Sequence, residues 1–296
     1  LKKNNTKVKE YCMENLLEHP LVQQLIDISF KEDIGSGDHT SLATIPQQHQ
    51  GKSIVVAKEE GVYAGAKLAG YIFKKVDPNL DVTLLAKDGD IVSPGMRVIE
   101  VSGSSIAMLT AERTVLNFIQ RLSGIATLTA QYAKELKGLH TKIIDTRKTT
   151  PGMRLLEKWA VTVGGGGNHR IGLYDMILIK DNHVDFAGGI AQAILAAKTY
   201  QEKYNLNLPV EIETRTLDEV QQALDVGNIQ RIMLDNFSIE QLHKAVALIN
   251  NQYETEASGG ITLTTLRQYA ETGVDFISSG ALTHSVKSLD FSMRAL

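Results

Sequence analysis

One cysteine, Cys12, stands among 296 residues. Its solitude excludes an intramolecular disulfide and any cysteine-built metal cluster, and it fits a reducing compartment, the cytoplasm. No motif surrounds Cys12 to make it a nucleophile. Long apolar runs are also missing: none approaches the roughly 20 residues needed to cross a bilayer. The opening residues, Leu1-Lys2-Lys3-Asn4-Asn5-Thr6, lack the apolar core of a secretion signal. Positive charge is not in excess, since 31 Lys and Arg against 34 Asp and Glu leave a formal charge of −3. General nucleic-acid binding calls for a basic surface. The expectation is a soluble, internal protein with neither nucleic acid nor membrane as partner. Apolar content of 43% supports one large domain or two moderate ones.

Against that near-neutral background the cations are concentrated. Residues 145–183 hold Asp145-Thr146-Arg147-Lys148-Thr149, Asn168-His169-Arg170 and Lys180-Asp181-Asn182-His183. The first and last clusters follow the aliphatic runs Ile143-Ile144 and Met176–Ile179, which read as buried strands of a parallel sheet. Gathering Arg147, Lys148, Arg170 and Lys180 at strand ends is expensive unless an anion shares the site. Forked guanidinium and ammonium donors suit a small, highly anionic substrate.

In chain order, residues 1–10 are polar and expected to be frayed or helical at the surface. Met13–Phe30 carries a helical stripe interrupted at Pro20, and residues 32–41 read as a glycine-punctuated loop in which His39 ties the chain down. Residues 51–104 are β-rich, with a strand at Ser53–Lys58, a helix at Lys67–Val76, short strands at Val82–Leu85 and Val98–Val101, and turns at Asp88-Gly89 and Pro94-Gly95. Ser105–Leu122 is a strong helix, with Met108, Ala111, Val115, Phe118 and Leu122 on one face. Arg113, Asn117 and Gln120 fall on another, which spacing alone reads as solvated. A break is expected at Ser123-Gly124 and a second helix to about Leu136.

Beyond Lys142 the pattern alternates. Strands are predicted at 142–145, 176–180, 210–214, 231–235, 253–257 and 275–278, with a seventh near Ala160–Val163. Helices are predicted at 190–204, 217–226, 239–250 and 263–272. Repeated β-then-α with short connections predicts parallel strands in a closed or nearly closed barrel. The fold class is thus α/β: an N-terminal α/β layer, then an incomplete barrel of six to seven strands. The expected domains are 1–122, with the tail 286–296 packed against it, and 123–285.

Working groups in such barrels lie at the carboxyl ends of the strands. Those ends carry Arg147, Lys180, Glu213, Asp235, Ser258-Gly259-Gly260 and Ser279-Gly280. Glu213 and Asp235 end successive strands and should face one cleft, either binding Mg²⁺ through oxygen or paired with nearby cations. Glu211 shares the face of Glu213 and is open as a further ligand. Ser258-Gly259-Gly260 precedes a predicted helix and, more loosely, so does Ser279-Gly280; exposed N–H groups at a helix start attract phosphate. Gly164–Gly167 reads as a pliable loop folding over a ligand. Lys180 has the option of a Schiff base, but its crowd of cations favours charge pairing.

The strings LTAERTVLNFIQRLSGIAT (109–127), DTRKTTPGMR (145–154), GGGGNHRIGLYDMILIKDNH (164–183), LDNF (234–237), SGGITL (258–263) and ETGVDFISSGALTHS (271–285) together resemble the quinolinate phosphoribosyltransferase family, also called carboxylating nicotinate-nucleotide diphosphorylase. The resemblance covers most of 105–290. It implies an N-terminal α/β sandwich, an incomplete α/β barrel, and a homodimer in which each subunit closes the other's barrel mouth. It further implies a transferase of de novo NAD biosynthesis, acting on quinolinate and phosphoribosyl pyrophosphate with Mg²⁺. On that likeness Arg113 from the partner subunit, Arg147, His169, Arg170 and Lys180 surround the quinolinate carboxylates, which turns the Arg113 stripe from solvated to functional. Lys148 contacts phosphoribosyl pyrophosphate, Glu213 and Asp235 serve Mg²⁺ and ribose, and Ser258, Gly259 and Gly280 hold the 5-phosphate, with Gly260 and Ser279 in the same turns. His284, in GALTHS, assists there. Trp159 stands where a tyrosine is common. Two rivals remain at this point: a paralogue tied to molybdenum transport acting on another acid, and a non-catalytic phosphosugar sensor.

Overall fold

The computed structural model describes residues 13–296; the polar segment 1–10 and Cys12 lie outside the described residues. In chain order the elements begin with α1 (Met13–Glu18), α2 (Pro20–Ile34), α3 (His39–Thr44), β1 (Gln50–Ala57), β2 (Gly61–Val62), α4 (Ala66–Val76), β3 (Asp81–Leu84), β4 (Ile91–Val92), β5 (Arg97–Ser104) and α5 (Ser105–Glu135). Then come β6 (Lys142–Ile144), α6 (Arg154–Val163), β7 (Ile177–Ile179), α7 (Asp181–Ala187), α8 (Ile190–Tyr204), β8 (Val210–Thr214), α9 (Leu217–Val226) and β9 (Arg231–Asp235). The chain closes with α10 (Ile239–Ile249), β10 (Glu254–Ser258), α11 (Leu266–Ala270), β11 (Phe276–Ser278), α12 (Ala281–His284) and β12 (Phe291–Ala295). No described helix is long and apolar enough to cross a membrane.

These residues fall into two compact units. One gathers the described chain up to Ala130 with Thr149–Gly165 and Leu282–Leu296; the other gathers Gln131–Lys148 and Gly166–Ala281.

The first unit is built on an antiparallel sheet of order β12-β1-β5-β3. Val55, Ile99 and Val101 are fully buried. The helix α4 buries Leu68, Ala69, Ile72 and Phe73 on one face. Pro20 sits at the first turn of α2, where its missing N–H has no helical partner to lose. The loop expected over 32–41 is shorter than read: α2 runs through Ile34, and Asp38 caps α3 by accepting from Ser41 N at 3.0 Å. An aspartate one residue before a helix wins over the glycine signal because it satisfies an orphan N–H.

The expected break at Ser123-Gly124 is absent, and α5 is continuous. Ser123 Oγ accepts from Ala64 N at 2.9 Å and donates to Ala64 O at 3.2 Å. A Cβ on Gly124 would collide with the carbonyl oxygen of Lys287. The Ser-Gly pair therefore admits neighbouring backbone to the helix surface instead of ending it. All five positions of the predicted apolar face are buried.

The second unit holds a parallel six-stranded sheet of order β6-β11-β10-β9-β8-β7. Read from β7, that order is sequential, with β6 joining at the far edge. The six strands lie where they were predicted, within two residues at each end. The seventh strand near Ala160–Val163 does not exist: that segment is the end of α6. Its run of Leu155, Leu156, Trp159 and Ala160 is helical spacing, and all four are buried. A single parallel bridge between Ile144 and Gly167 extends the free edge of β6 instead.

Candidate active site

The site grows from the carboxyl ends of the parallel strands. Asp145, fully buried, follows β6 and organises the next segment. Its Oδ1 accepts from His169 N at 2.9 Å and its Oδ2 from Asn168 Nδ2 at 2.7 Å. Asp145 N donates to Gly167 O at 3.1 Å. These bonds clip 167–170 beside β6 and bring Arg170 into the field of Arg147. Burial first, and the Arg147 charge second, lower the proton affinity of the Arg170 guanidinium. Arg170 Nη1 donates to Met176 O at 3.3 Å. Two guanidiniums held together are costly alone and are relieved by a bound anion.

Lys180 leaves β7 and Glu213 lies on β8; Lys180 Nζ donates to Glu213 Oε2 at 2.7 Å. Asp235 ends β9, the neighbour of β8. Burial, then the Glu213 charge, raise the Asp235 carboxyl above its usual range. Two carboxylates that repel one another across adjacent strands form an all-oxygen donor set, which fits Mg²⁺.

Ser258 closes β10 opposite Asp235, and Asn236 N donates to Ser258 O at 2.9 Å. Gly259 and Gly260 both have positive φ, 97° and 61°. A side chain on Gly259 would collide with the Asn236 amide, so the turn needs glycine there. The helix expected directly after this turn starts only at Leu266, so the donors near Gly260 belong to the turn itself. The second turn reverses the expectation in the other direction: α12 begins immediately after Gly280. Ser279 N donates to Ile144 O at 3.0 Å, which seats that turn beside β6.

The remaining sequence candidates lie elsewhere or do different work. Lys148 is exposed just past Arg147, its N–H on Thr146 Oγ1 at 3.1 Å. Arg113, on α5, and His284, at the end of α12, belong to the first unit and are exposed. The run Gly164–Gly167, read as a pliable loop, is tied down at both ends. Gly164 is buried, and a Cβ there would collide with Ala126 O and Thr129. At the other end Gly167 N donates to Ile143 O at 2.9 Å. At these two ends the missing Cβ permits close packing.

Glu211 is not with Glu213. Side chains two apart share a face but stand at different depths, and Glu211 is fully buried against His169. His169 Nε2 lies 3.0 Å from Glu211 Oε2 and 3.4 Å from Glu256 Oε2. Arg231 Nη1 donates to Glu256 Oε2 at 2.9 Å and stands 3.8 Å from Glu211 Oε2. Its other guanidinium nitrogens reach Glu254 Oε2 at 3.1 and 3.3 Å, and its plane covers the Phe276 ring at 4.1 Å. Burial opposes charge on His169, but Glu256 and Glu211 outweigh it and raise the proton affinity of the ring. Burial and the Glu256 charge push Glu211 up. Burial would do the same to Glu256, but His169 and Arg231 hold it below the usual range.

Sequence reading passed over Arg231, Glu256 and the anchoring role of Asp145. The available signal was an arginine or glutamate inside a segment read as a buried strand, in Arg231–Asp235 and Glu254–Ser258.

Two family descriptions match the chain: quinolinate phosphoribosyl transferase, N-terminal domain, over residues 38–123, and its C-terminal domain over 125–294. The chloroplastic carboxylating nicotinate-nucleotide pyrophosphorylase of Arabidopsis thaliana is 47% identical, covering 93% of this chain and 84% of that protein. The mitochondrial decarboxylating quinolinate phosphoribosyltransferase 2b of Nicotiana tabacum is 45% identical over 93% of this chain and 83% of its own length. A crystal structure of NadC from Streptococcus pyogenes is 41% identical with a TM-score of 0.88, covering 93% of this chain and 97% of that one.

Proposed function

The chain belongs to the quinolinate phosphoribosyltransferase family, and we propose that the strand-end cluster of its parallel sheet is where quinolinate meets phosphoribosyl pyrophosphate. The reaction yields nicotinate mononucleotide, pyrophosphate and CO₂ in NAD biosynthesis. The observation that carries the siting is the grouping of Arg147 with Arg170 and of Lys180 with Glu213 and Asp235 at the ends of β6 to β9.

In this reading Arg147, Arg170 and Lys180 take the two carboxylates of quinolinate, and His169 supports them. Lys148 contacts the pyrophosphate. Ser258, Gly259, Gly260, Ser279 and Gly280 offer turn donors to the 5-phosphate. Pyrophosphate leaves as C1 of the ribose gains oxocarbenium character, and the pyridine nitrogen attacks C1. Glu213 and Asp235 place negative charge near the cationic sugar. The same two carboxylates would hold Mg²⁺, which when bound offsets charge on the leaving pyrophosphate. The quaternised ring nitrogen then stabilises the carbanion left at C2 by loss of CO₂, and that carbon takes up a proton. No strong general acid is required.

Arg113 enters from a second copy of the chain. Its exposure on α5, next to the buried Ala111 and Thr114, supports this. His284 assists at the phosphate end. A cytoplasmic location accompanies the single cysteine, and cell fractionation tests it, since plant relatives are named for chloroplast and mitochondrion.

The deciding experiment incubates the purified protein with carboxyl-labelled quinolinate, phosphoribosyl pyrophosphate and Mg²⁺ and collects CO₂. Release dependent on both substrates is expected; turnover of nicotinate but not quinolinate refutes the assignment. Mixing inactive Arg113→Ala and Arg147→Ala dimers should restore part of the activity through hybrids. No rescue after proven subunit exchange sinks the shared site.

A further inference from the structure

Beneath the strand-end cations lies a group of charges that the reaction as described does not use. Glu211 and Glu256 are fully buried, Arg231 is nearly so, and His169 sits against both carboxylates. Both oxygens of Glu211 and Oε1 of Glu256 make no hydrogen bond among the described residues, so Glu211 meets the imidazole as an ion-pair neighbour. Such a group stabilises a fold little, because apolar side chains of the same volume usually do as well or better. What it does provide is direction.

Three observations give that direction. First, the imidazole is held from both sides: Nε2 faces the two carboxylate oxygens at 3.0 and 3.4 Å, while Nδ1 accepts from Arg170 N at 2.7 Å. The two carboxylates favour a second proton on the ring, but the contact with Arg170 N needs a lone pair on Nδ1 and leaves no room for one there, so the geometry assigns the form with its single proton on Nε2. Second, the chain reaching that imidazole is clamped by Asp145, so His169 has little freedom to turn. Third, the Glu211 charge acts favourably on the Arg170 guanidinium, opposing the repulsion from Arg147.

His169, Glu211 and Glu256 also have ligand atoms close enough together, all within 4.8 Å, to suggest a metal site. Arg231 argues against that. Its guanidinium already stands 2.9 Å from one of those carboxylates and 3.8 Å from the other, and it cannot give up its charge. A permanent cation fills the role.

We propose that Glu211, Glu256 and Arg231 are positioning residues that fix the orientation and tautomer of His169 and, through its bond to Arg170 N, set Arg170 for the quinolinate carboxylates. The proposal rests on quinolinate being the ligand of Arg147 and Arg170. Glu211 lies on β8, two strands away from the Ser258 turn that closes β10, so its loss would act on quinolinate alone, whereas Glu256 shares β10 with that turn.

Glu211→Gln and Glu256→Gln keep the side-chain volume and remove the charge. Each is expected to raise KM for quinolinate about ten- to a hundredfold, the scale of a misplaced binding group, and in the Glu211 variant KM for phosphoribosyl pyrophosphate is little changed. Equal losses for both substrates in Glu211→Gln, or no loss in either variant, would overturn the proposal. Should either variant fail to fold, the native enzyme still decides. Nitrogen-15 NMR of its imidazoles, with His169 assigned through its own backbone, should show Nε2 protonated and Nδ1 bare at neutral pH. A proton on Nδ1 would overturn the positioning contact. Native protein that neither binds nor turns over quinolinate would sink the functional reading instead, leaving the imidazole signature to be judged by itself.

Discussion

The two units bury polar groups in different ways. In the antiparallel unit the core is aliphatic, and its buried hydroxyls are spent on neighbouring backbone. Ser123 closes on Ala64, and Thr129 Oγ1 donates to Ile125 O at 2.8 Å. Among its described residues the buried carboxylate Glu157 takes Arg121 Nη2 at 2.8 Å and Thr150 N at 3.0 Å. In the parallel unit, by contrast, Asp145, His169, Arg170, Glu211, Glu213, Arg231 and Glu256 are all buried. Polar groups of the first kind pin segments to one another. Those of the second kind stand on or beside the strands and aim side chains at one end of a sheet, at a cost that packing has to offset.

Removing Arg231 should give the sharpest test of that contrast. Arg231→Ala leaves Glu211 and Glu256 buried without their cation, and a loss of about 3–5 kcal/mol is expected in urea unfolding. A loss within the range of ordinary surface changes would mean that the network is wetter than its burial indicates. Next in size, Arg147→Ala should weaken quinolinate binding by about 2–5 kcal/mol in calorimetry, with phosphoribosyl pyrophosphate less affected, because Arg170 loses the ligand's shared charge contact. Equal weakening of both ligands would contradict the division of labour among the strand ends. In the antiparallel unit, Gly124→Ala should cost about 1–3 kcal/mol of stability, measured by thermal unfolding, as the Lys287 carbonyl is forced off α5. An unchanged midpoint would show that the close approach is soft. The smallest effect, about 1 kcal/mol, is expected from Asp38→Ala at the cap of α3, with activity intact.

Much of the site was readable in one dimension because parallel strands with short connections deliver their carboxyl ends to one edge. Arg147, Lys180 and Asp235 follow or close aliphatic runs, and Glu213 and Ser258 lie at the ends of predicted strands, so their placement at one edge follows from alternation alone. Glycine was read less well. Gly124, Gly164 and Gly167 looked like a break and a flexible loop, yet each is a place where another backbone comes close. A missing Cβ carries two meanings, mobility or close approach, and only the neighbour distinguishes them. The same limit misplaced a strand at 160–163, where a buried helix and a buried strand are equally apolar over a few residues.

Local order was therefore set by the sequence itself: the period of two in Val210–Thr214, the helical stripe of α5, the caps, and the placement of cations after strands. Tertiary structure alone decided depth. Glu211 and Glu213 are two residues apart on one face, but one reaches Lys180 at the strand ends while the other is sealed against His169 and Arg231. Periodicity fixes which way a side chain points, whereas its dielectric surroundings and its partners come from strands that are distant in sequence.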